Sequence, residues 1–433
     1  MIKSKFNSKL REYAKTLSPK QHEQDLVNAI YESFNDLFGV NNCIQIGSYP
    51  RSTAVTPVHD LDILYILGSW DENNHTPSTT LRNLYDQINN SYVNPAGYIR
   101  KVSLQTHSVT VEFWESSAMF LSVDIVPAYT YGENEYNQDT YKVPEVIKER
   151  DHILRKALTW DASDNSLWIN SDPRGYIKVA SEVGQNSDFR KAVKFVKRWK
   201  NNLCDADNNL KLKSFHLEQV VTKIFQRDQD IDIFDAVFSF FCDLPDIIKT
   251  PNQIADRANR TKHIDNYLAE FTKEQIEKII KARDGFLTKL ENLEESGQTS
   301  SLMEISFHAR SPSEEFMFDR KIASFIDPQH LDFALSAYVT DKQGNEQRRL
   351  NTQGVIDSNR YLIFKRSKHV DGCQYYWKVK NDNRSKQPRG EITAHSTKNI
   401  PEVTKYRGTH YVECYAIKND VCVASAKHYV VLV

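Results

Sequence analysis

The sequence has few cysteines and no long hydrophobic run. Its six cysteines lie apart along the 433 residues and form no CxxC pair, which excludes a zinc-binding or disulfide-based scaffold. No apolar stretch approaches the roughly 18 residues of a membrane-spanning helix. The N-terminal segment MIKSKFNSKL lacks the apolar core of a secretory signal. We therefore expect a cytoplasmic protein with reduced thiols and no membrane partner.

Charge of one sign is not in excess either. The chain has 56 Lys and Arg residues against 57 Asp and Glu, a net charge of −1, so we expect no stable nucleic-acid partner. The balance differs along the chain, because residues 311–433 hold 19 basic against 14 acidic side chains while residues 1–310 hold 37 against 43. A basic C-terminal part of this kind fits a small anionic ligand.

Turn residues and hydrophobic periods divide the chain into segments. Ser18 is predicted to cap a helix over residues 18–38, which ends at Gly39. Helical periodicity dominates from residue 143 to about residue 296, and the polar stretch 295–301 is the predicted linker. Short β-rich runs predict strands over residues 43–46, 61–67, 98–104, 109–114, 120–126, 361–365, 374–379, 410–418 and 421–433.

Two local patterns add to this division. The apolar residues Phe189, Val193, Val196, Trp199 and Leu203 recur at helical spacing and predict a buried helix face. Asn419 and Asp420 predict a two-residue turn between the last two strands. The sequence therefore predicts an α+β fold with a body over residues 1–300 and a small β-rich C-terminal domain over residues 301–433.

Three acids within apolar, strand-like runs are the candidate catalytic and metal-binding residues. Asp60 and Asp62 alternate with Leu61, so in a strand both carboxylates point to one face, roughly 7 Å apart. Such a pair repels itself unless a cation lies between the carboxylates. Asp124 is a lone acid in the apolar run 121–126 and is the predicted third ligand. We expect this set to hold two Mg²⁺ or Mn²⁺ ions about 4 Å apart, the arrangement for in-line phosphoryl displacement.

The loop before these aspartates carries a candidate phosphate-binding pair. Gly47 lets the backbone approach a phosphate closely, and Ser48 can donate a hydroxyl hydrogen bond to the same group. A Gly-Ser pair or an Asp-x-Asp pair alone is a weak signal. The order of the loop, the paired aspartates and a later acid in an apolar strand is far more specific.

This order resembles the nucleotidyltransferase superfamily related to DNA polymerase β. Within that superfamily, residues 47–54 look like the GSxxRxTA loop of the bacterial cyclic-oligonucleotide synthases, relatives of cyclic GMP–AMP synthase and the oligoadenylate synthetases. The resemblance implies a polymerase-β-like core with a helical lobe. It also implies that Gly47, Ser48 and Arg51 belong to a nucleotide-binding loop.

The same resemblance assigns two further residues to the triphosphate. Lys197 matches the position of a family lysine on a helix, and Ser214 matches a family serine at a helix start. Other interpretations stay open. Lys197 could be a solvated lysine in a basic stripe, Ser214 a simple N-cap, and Arg51 a brace of the loop.

The C-terminal sequence has a resemblance of its own. Three segments between residues 374 and 414, QYYWKVKN, RGEI and YRGTHYVEC, look like the small sensor domain of some of these synthases and some nucleotide cyclases. This resemblance implies a nucleotide-like ligand, with Arg389 and His410 as candidate anion contacts and Trp377 as a stacking surface. The three residues could equally be core or strand-pairing residues of a domain that docks a partner protein.

By resemblance, the chain is expected to be a metal-dependent nucleotidyltransferase. It would condense nucleoside triphosphates into a cyclic or short linear signalling oligonucleotide and release pyrophosphate, and its product would activate a separate effector in bacterial anti-phage defence. One alternative is a nucleotide-sensing regulatory protein, which the intact set of three aspartates argues against. Another is nucleotidyl transfer to a protein or RNA, and the net acidic charge of residues 1–310 does not favour RNA.

Overall fold

The structure is a computed structural model that describes residues 2–74, 76–95, 97–146, 166–293, 298–311, 313–394 and 400–433. The chain divides into two compact units. The larger unit comprises Leu10–Val237 and Asp246–Lys273, and the β unit comprises Met1–Lys9, Phe238–Pro245 and Glu274–Val433. This division differs from the predicted one at residue 300. Within the described ranges, no helix combines the length and the apolar character needed to cross a membrane.

A mixed sheet forms the centre of the larger unit. Its described strands are β1 (Cys43–Ile46), β2 (Asp60–Ser69), β3 (Ile99–Leu104), β4 (Val109–Glu115), β5 (Ala118–Glu133), β6 (Asp139–Val146) and β7 (Ser166–Ser171). Their order is β1-β2-β5-β4-β3, with β6 pairing to both β5 and β7. Strands β2 and β5 run parallel, whereas the other neighbours are antiparallel. The strands predicted between residues 43 and 126 are thus present, and β5 extends further than predicted.

The described residues also form eight α-helices. In chain order they are α1 (Ile2–Thr16), α2 (Gln21–Phe38), α3 (Pro77–Ser91), α4 (Pro173–Val183), α5 (Ser187–Ala206), α6 (Ser214–Arg227), α7 (Ile233–Lys249) and α8 (Lys273–Glu291). The apolar faces of α2 and α3 share one core with the sheet, in which Phe34, Leu81 and Val123 are completely buried. Helix α5 packs along α6. Its predicted apolar stripe is buried throughout: Phe189, Val193, Val196, Trp199 and Leu203.

The start of α2 differs from its prediction. The helix begins at Gln21, and Ser18 lies before it. Glu23 accepts a hydrogen bond from the Lys20 backbone N–H at 2.6 Å, which satisfies a free donor of the first turn. The Ser18 hydroxyl instead accepts a hydrogen bond from Lys194 at 2.8 Å.

The prediction of a helical period from residue 143 is wrong for the described residues up to 171. Residues 143–146 belong to β6, and Trp168 pairs opposite Pro144 in β7. Short apolar runs are ambiguous between helix and strand, and here pairing with a distant strand decides the outcome. Of the predicted linker 295–301, residues 295–297 lie outside the described residues, and Thr299–Met303 forms a 3₁₀ turn.

The β unit contains two sheets. Its described strands are β8 (Ala323–Ser324), β9 (Leu335–Thr340), β10 (Glu346–Leu350), β11 (Gly354–Ile356), β12 (Tyr361–Arg366), β13 (Gln374–Lys380), β14 (Arg389–Thr393), β15 (Glu402–Val403), β16 (Gly408–Lys418) and β17 (Val421–Leu432). One sheet has the order β10-β9-β12-β15 and the other β11-β17-β16-β13-β14, with β8 added on β17. Buried residues of both sheets form one hydrophobic cluster.

The turn between β16 and β17 follows its prediction. Asn419 and Asp420 have φ angles of 50° and 58°, as a two-residue hairpin turn requires, because the turn has to match the twist of its strands. The predicted strands after residue 361 are all present. Helices packed with a mixed sheet and followed by a β-rich region confirm the α+β class.

Candidate active site

The parallel pair β2 and β5 brings the three predicted aspartates to one place. Asp62 lies directly opposite Asp124, and Asp60 lies opposite Ser122. The intervening Leu61 is buried in the core at 1% exposure, as the two-residue period of a strand requires. The structure therefore places Asp60 and Asp62 on one face, with Asp124 beside them on the next strand.

Burial and like charge act together on these carboxylates. Burial, followed by the charges of Asp60 and Asp124, raises the pKa of Asp62 to about 7. Burial also raises the pKa of Asp124, although the Thr110 hydroxyl donates a hydrogen bond to its Oδ1. Among the described residues, no three His, Cys, Asp or Glu side chains form a ready-made metal cluster. The three carboxylates are thus close enough for burial and mutual repulsion to disfavour their charged forms.

Gly47 packs against Asp62 so closely that a larger residue does not fit. A Cβ atom on Gly47 would lie 1.8 Å from Asp62 Oδ2. The residue also has a φ of 74°, in the left-handed region that glycine adopts without strain. The loop then turns back on itself, because the Ser48 carbonyl accepts a hydrogen bond from the Thr53 backbone N–H at 3.0 Å. Both halves of the predicted loop-and-aspartate pattern therefore meet at Asp62.

A buried ion cluster braces this loop from α5 and α6. The Glu218 carboxylate accepts hydrogen bonds from Arg51 Nε at 2.5 Å, Lys197 Nζ at 2.6 Å and the Thr53 hydroxyl at 3.0 Å. Lys197 Nζ also donates to the Thr53 carbonyl oxygen at 3.2 Å and lies 3.1 Å from its hydroxyl oxygen. Three neighbouring oxygens thus surround the ammonium of Lys197. Arg51 braces the loop, which is one of the interpretations that the sequence left open.

Glu218 is a residue of the site to which sequence reasoning gave no role. Its side chain has no exposed area, and it lies in α6 between the buried residues Leu217 and Val220. Burial alone would raise its pKa, but Lys197 and Arg51 outweigh that effect and lower the pKa to about 2. An acid on the apolar face of a predicted helix was the available signal, because such a residue needs a buried cation as partner.

A cavity of about 820 Å³ connects these parts. Gly47, Ser48, Asp60 and Asp62 line it, whereas Asp124, one strand further away, does not. The other side contains residues from the helices and their loops: Lys197, Lys200, Asn201, Ser214, Phe215 and Asp256. Pockets of this size accept small molecules as large as a nucleotide.

Ser214 lies at the helix start that the sequence predicted. It is the first residue of α6, and Lys213 is the capping position, so Ser214 is one residue further into the helix than an N-cap. Ser214 and Phe215 at this helix start line the cavity, and the backbone N–H groups of a first helical turn mostly lack partners within the helix. An anion is favoured at such a helix N-terminus.

The candidate residues of the β unit have different surroundings from those expected. Trp377 is 5% exposed within the hydrophobic core, so its ring has no free face and the expectation of a stacking surface is wrong. The indole is buried because β13 is a central strand of its sheet. Arg389 donates to the Glu402 carboxylate at 2.7 Å and its side chain stays 40% exposed, so its role as an anion contact stays a prediction. His410 is buried, with Nδ1 within 3.1 Å of Asn381 Oδ1.

Family models match both parts of the chain. The model of the Second Messenger Oligonucleotide or Dinucleotide Synthetase domain (SMODS) matches residues 4–183. The model of the Adenylyl/Guanylyl and SMODS C-terminal sensor domain matches residues 312–433. Residues 4–183 are thus similar to a second-messenger synthetase domain and residues 312–433 to a sensor domain, and each match covers less than half of the chain.

Individual relatives are more distant. Over 224 residues the chain is 26% identical to a cyclic AMP-AMP-AMP synthase of Escherichia coli strain MS 115-1, an alignment that covers 49% of this chain and 59% of the relative. Over 197 residues it is 23% identical to the CBASS oligonucleotide cyclase CdnC of Escherichia coli strain KTE188, covering 44% and 53%. The chain therefore spans less than two thirds of these relatives.

A solved structure of Escherichia coli MS115-1 CdnC with ATP is also similar to this chain. It has a TM-score of 0.47 and 15% identity, and the match covers 70% of this chain and 99% of that one.

Proposed function

We propose that this chain is a metal-dependent nucleotidyltransferase that joins nucleoside triphosphates into a cyclic or short linear oligonucleotide. The observation that carries the proposal is the position of Asp62 opposite Asp124 on parallel strands, with Gly47 packed against the Asp62 carboxylate. The synthetase-domain match over residues 4–183 supports the same reaction class.

Asp60, Asp62 and Asp124 are the residues that would hold two divalent ions, Mg²⁺ or Mn²⁺. Carboxylate oxygens are the ligands that hard cations prefer. The pKa of Asp62, which burial and its acidic neighbours raise to about 7, indicates a charge that a bound cation would stabilise. When bound, such ions neutralise phosphate charge and favour ionisation of the attacking hydroxyl.

The residues of the chain itself position the substrates. A ribose hydroxyl of one nucleotide attacks the α-phosphorus of another, and pyrophosphate leaves. Ser48 and the start of α6 at Ser214 supply hydrogen-bond donors to the phosphate oxygens. Asp124, paired opposite Asp62, would complete the carboxylate set that holds the ions near the attacking hydroxyl.

The buried ion cluster limits what Lys197 can do in the reaction. Its ammonium is occupied by Glu218 and Thr53, so we propose that it acts on the triphosphate through the loop and through its charge. Coulombic interaction with Lys197 and Arg51 opposes the rise in the pKa of Asp62, which links the cluster to the carboxylates.

The biological setting is inferred from the two family matches. We infer that the chain acts in the cytoplasm of a bacterium, in anti-phage defence, and that its product activates a separate effector protein. The free thiols of its cysteines fit a reducing compartment. The sensor-domain match over residues 312–433 supports regulation of the enzyme by a nucleotide-like ligand of the β unit.

The experiment incubates the purified chain with the four ribonucleoside triphosphates and Mg²⁺ or Mn²⁺, and identifies products by mass spectrometry. We expect pyrophosphate together with a cyclic or short linear oligonucleotide. Asp62→Asn should abolish the product, whereas the matched control Asp86→Asn, at an exposed position of α3, should not. Unchanged synthesis by Asp62→Asn would contradict the assignment of the site.

A further inference from the structure

A cavity inside the β unit has no function assigned to it so far. It has a volume of about 290 Å³ and is lined by residues of β12 to β17 and of the loops between them. Protein interiors are close-packed and contain few voids larger than a water molecule. This volume lies just below the range of about 300–1,000 Å³ typical of small-molecule pockets. The cavity therefore has the dimensions of a binding site for a small ligand.

The floor of the cavity is part of the hydrophobic core. Its residues come from both sheets and are each at most 6% exposed: Leu362, Phe364, Val412, Val430 and Leu432. The cavity is thus an extension of the space between the sheets. A ligand that fills it must present an apolar or aromatic face to this floor.

Polar groups stand along one edge of the cavity. His410 Nδ1 lies 3.1 Å from Asn381 Oδ1 and 3.3 Å from the Asp382 backbone nitrogen. Its Nε2 is buried and makes no well-aligned hydrogen bond. Burial lowers the pKa of His410, although the nearby carbonyls of Tyr406 and Arg407 oppose that effect. Leaving a buried polar atom poorly satisfied is costly, so a ligand with a hydrogen-bonding edge is favoured here.

Of the three lining residues with a formal charge, Arg389 and Glu402 pair with each other. Arg389 donates from Nη1 and Nη2 to the two carboxylate oxygens of Glu402 at 2.7 and 3.3 Å. Lys405 is exposed, where water and salt screen its charge. A phosphate inside the cavity would approach the Glu402 carboxylate, and no unpaired buried cation compensates it among the described lining residues. The paired charges therefore disfavour an anion.

We propose that this cavity binds an uncharged, flat, hydrogen-bonding molecule of the nucleobase or nucleoside class. One ring face rests on the apolar floor, and the polar edge of the ring meets Asn381 and His410. The proposal refines the nucleotide-like ligand suggested for the β unit. In this refinement the cavity contacts the base or the nucleoside, and it does not contact a phosphate group. It does not depend on the transferase chemistry proposed for the larger unit.

The test measures binding of nucleosides to the full chain. Adenosine, guanosine, cytidine and uridine, their free bases and the four triphosphates are titrated by calorimetry and thermal shift at 50 and 500 mM salt. Asp62→Asn is measured in parallel, because it removes a carboxylate of the other site and leaves this cavity unchanged. We expect at least one base or nucleoside to bind both proteins, with an affinity that changes less than twofold with salt.

Two variants locate the binding. Asn381→Ala should weaken nucleoside binding at least tenfold, and Val379→Trp should fill the cavity and abolish it. Asn351→Ala, an exposed position of the same unit, is the matched control and should bind like the wild type. Circular dichroism checks that each variant is folded, and Asn381→Ala remains informative if Val379→Trp is not.

Two outcomes would overturn the proposal. One is the absence of binding by every base and nucleoside at millimolar concentration. The other is a preference for triphosphates, with binding that weakens at high salt and that the Asn381→Ala variant no longer shows. Such a result would identify a phosphate-binding site. Neither outcome bears on oligonucleotide synthesis, which is measured separately. A failure of the proposed base binding is therefore distinguishable from a failure of the proposed enzyme activity.

Discussion

Replacing Glu218 by Gln tests the buried ion cluster most directly. The substitution preserves the shape of the side chain and removes the charge that balances Lys197 and Arg51, both of which contact the carboxylate. Removing one partner from a buried ion pair destabilises a protein by about 3–5 kcal/mol, because the remaining charge is left without compensation. We therefore expect Glu218→Gln to lower the free energy of unfolding of the larger unit by about 3 kcal/mol.

The pKa of Glu218 gives a second route to the same magnitude. Its fall from the ordinary value of 4.5 to about 2 corresponds to about 3 kcal/mol, at 1.36 kcal/mol per pKa unit. A lowered pKa means that the folded state binds the proton less tightly than the unfolded state. The stabilisation is therefore complete above about pH 4.5 and is lost as the pH falls towards 2.

The assay is chemical denaturation followed by circular dichroism between pH 3 and pH 8. The difference between the wild type and Glu218→Gln should be largest at neutral pH and shrink below pH 4.5. Glu182→Gln is the matched control, because this glutamate forms an exposed ion pair with Lys178 and should contribute less than about 1 kcal/mol.

A double variant tests the cause of the effect. Replacing Lys197 by Met together with Glu218→Gln removes one uncompensated charge as well as the carboxylate, so it should recover part of the lost stability. A difference below about 1 kcal/mol for Glu218→Gln, or one that does not vary with pH, would refute the reasoning about the cluster.

Three further predictions concern the active site. Gly47→Ala should reduce product formation by about a hundredfold or more, because the added Cβ would displace the Asp62 carboxylate. Initial rates of synthesis measure this effect, and rates near those of the wild type would refute the close packing of Gly47 on Asp62. Ser214→Ala should raise KM for nucleoside triphosphates with little change in kcat, because the lost contact binds ground and transition states alike; a fall in kcat alone would contradict that role. Mg²⁺ or Mn²⁺ should raise the melting temperature of the wild type, and this increase should become smaller as the pH falls below about 7. The reason is that a proton then occupies the Asp62 carboxylate and competes with the metal ion. Thermal shift with added EDTA as the control measures this, and a metal effect independent of pH would refute it.

The sequence by itself determined the local features of this protein. The two-residue period fixed Asp60 and Asp62 on one face of β2, and the residue types at Asn419 and Asp420 fixed the hairpin turn. The helical spacing of the apolar residues in α5 likewise determined which face is buried. These features depend on neighbours within a few residues, so periodicity and turn preferences are sufficient to predict them.

Only the tertiary structure decided which distant residues meet. The register of the parallel strands set Asp124 opposite Asp62, and helix packing brought Glu218 to Arg51 across 167 positions of the chain. The burial of Trp377 in an inner strand also removed the stacking role expected from its residue type. Whether a charged side chain is available to a ligand depends on its buried partners, and those partners are set by the packing of segments that lie far apart in the sequence.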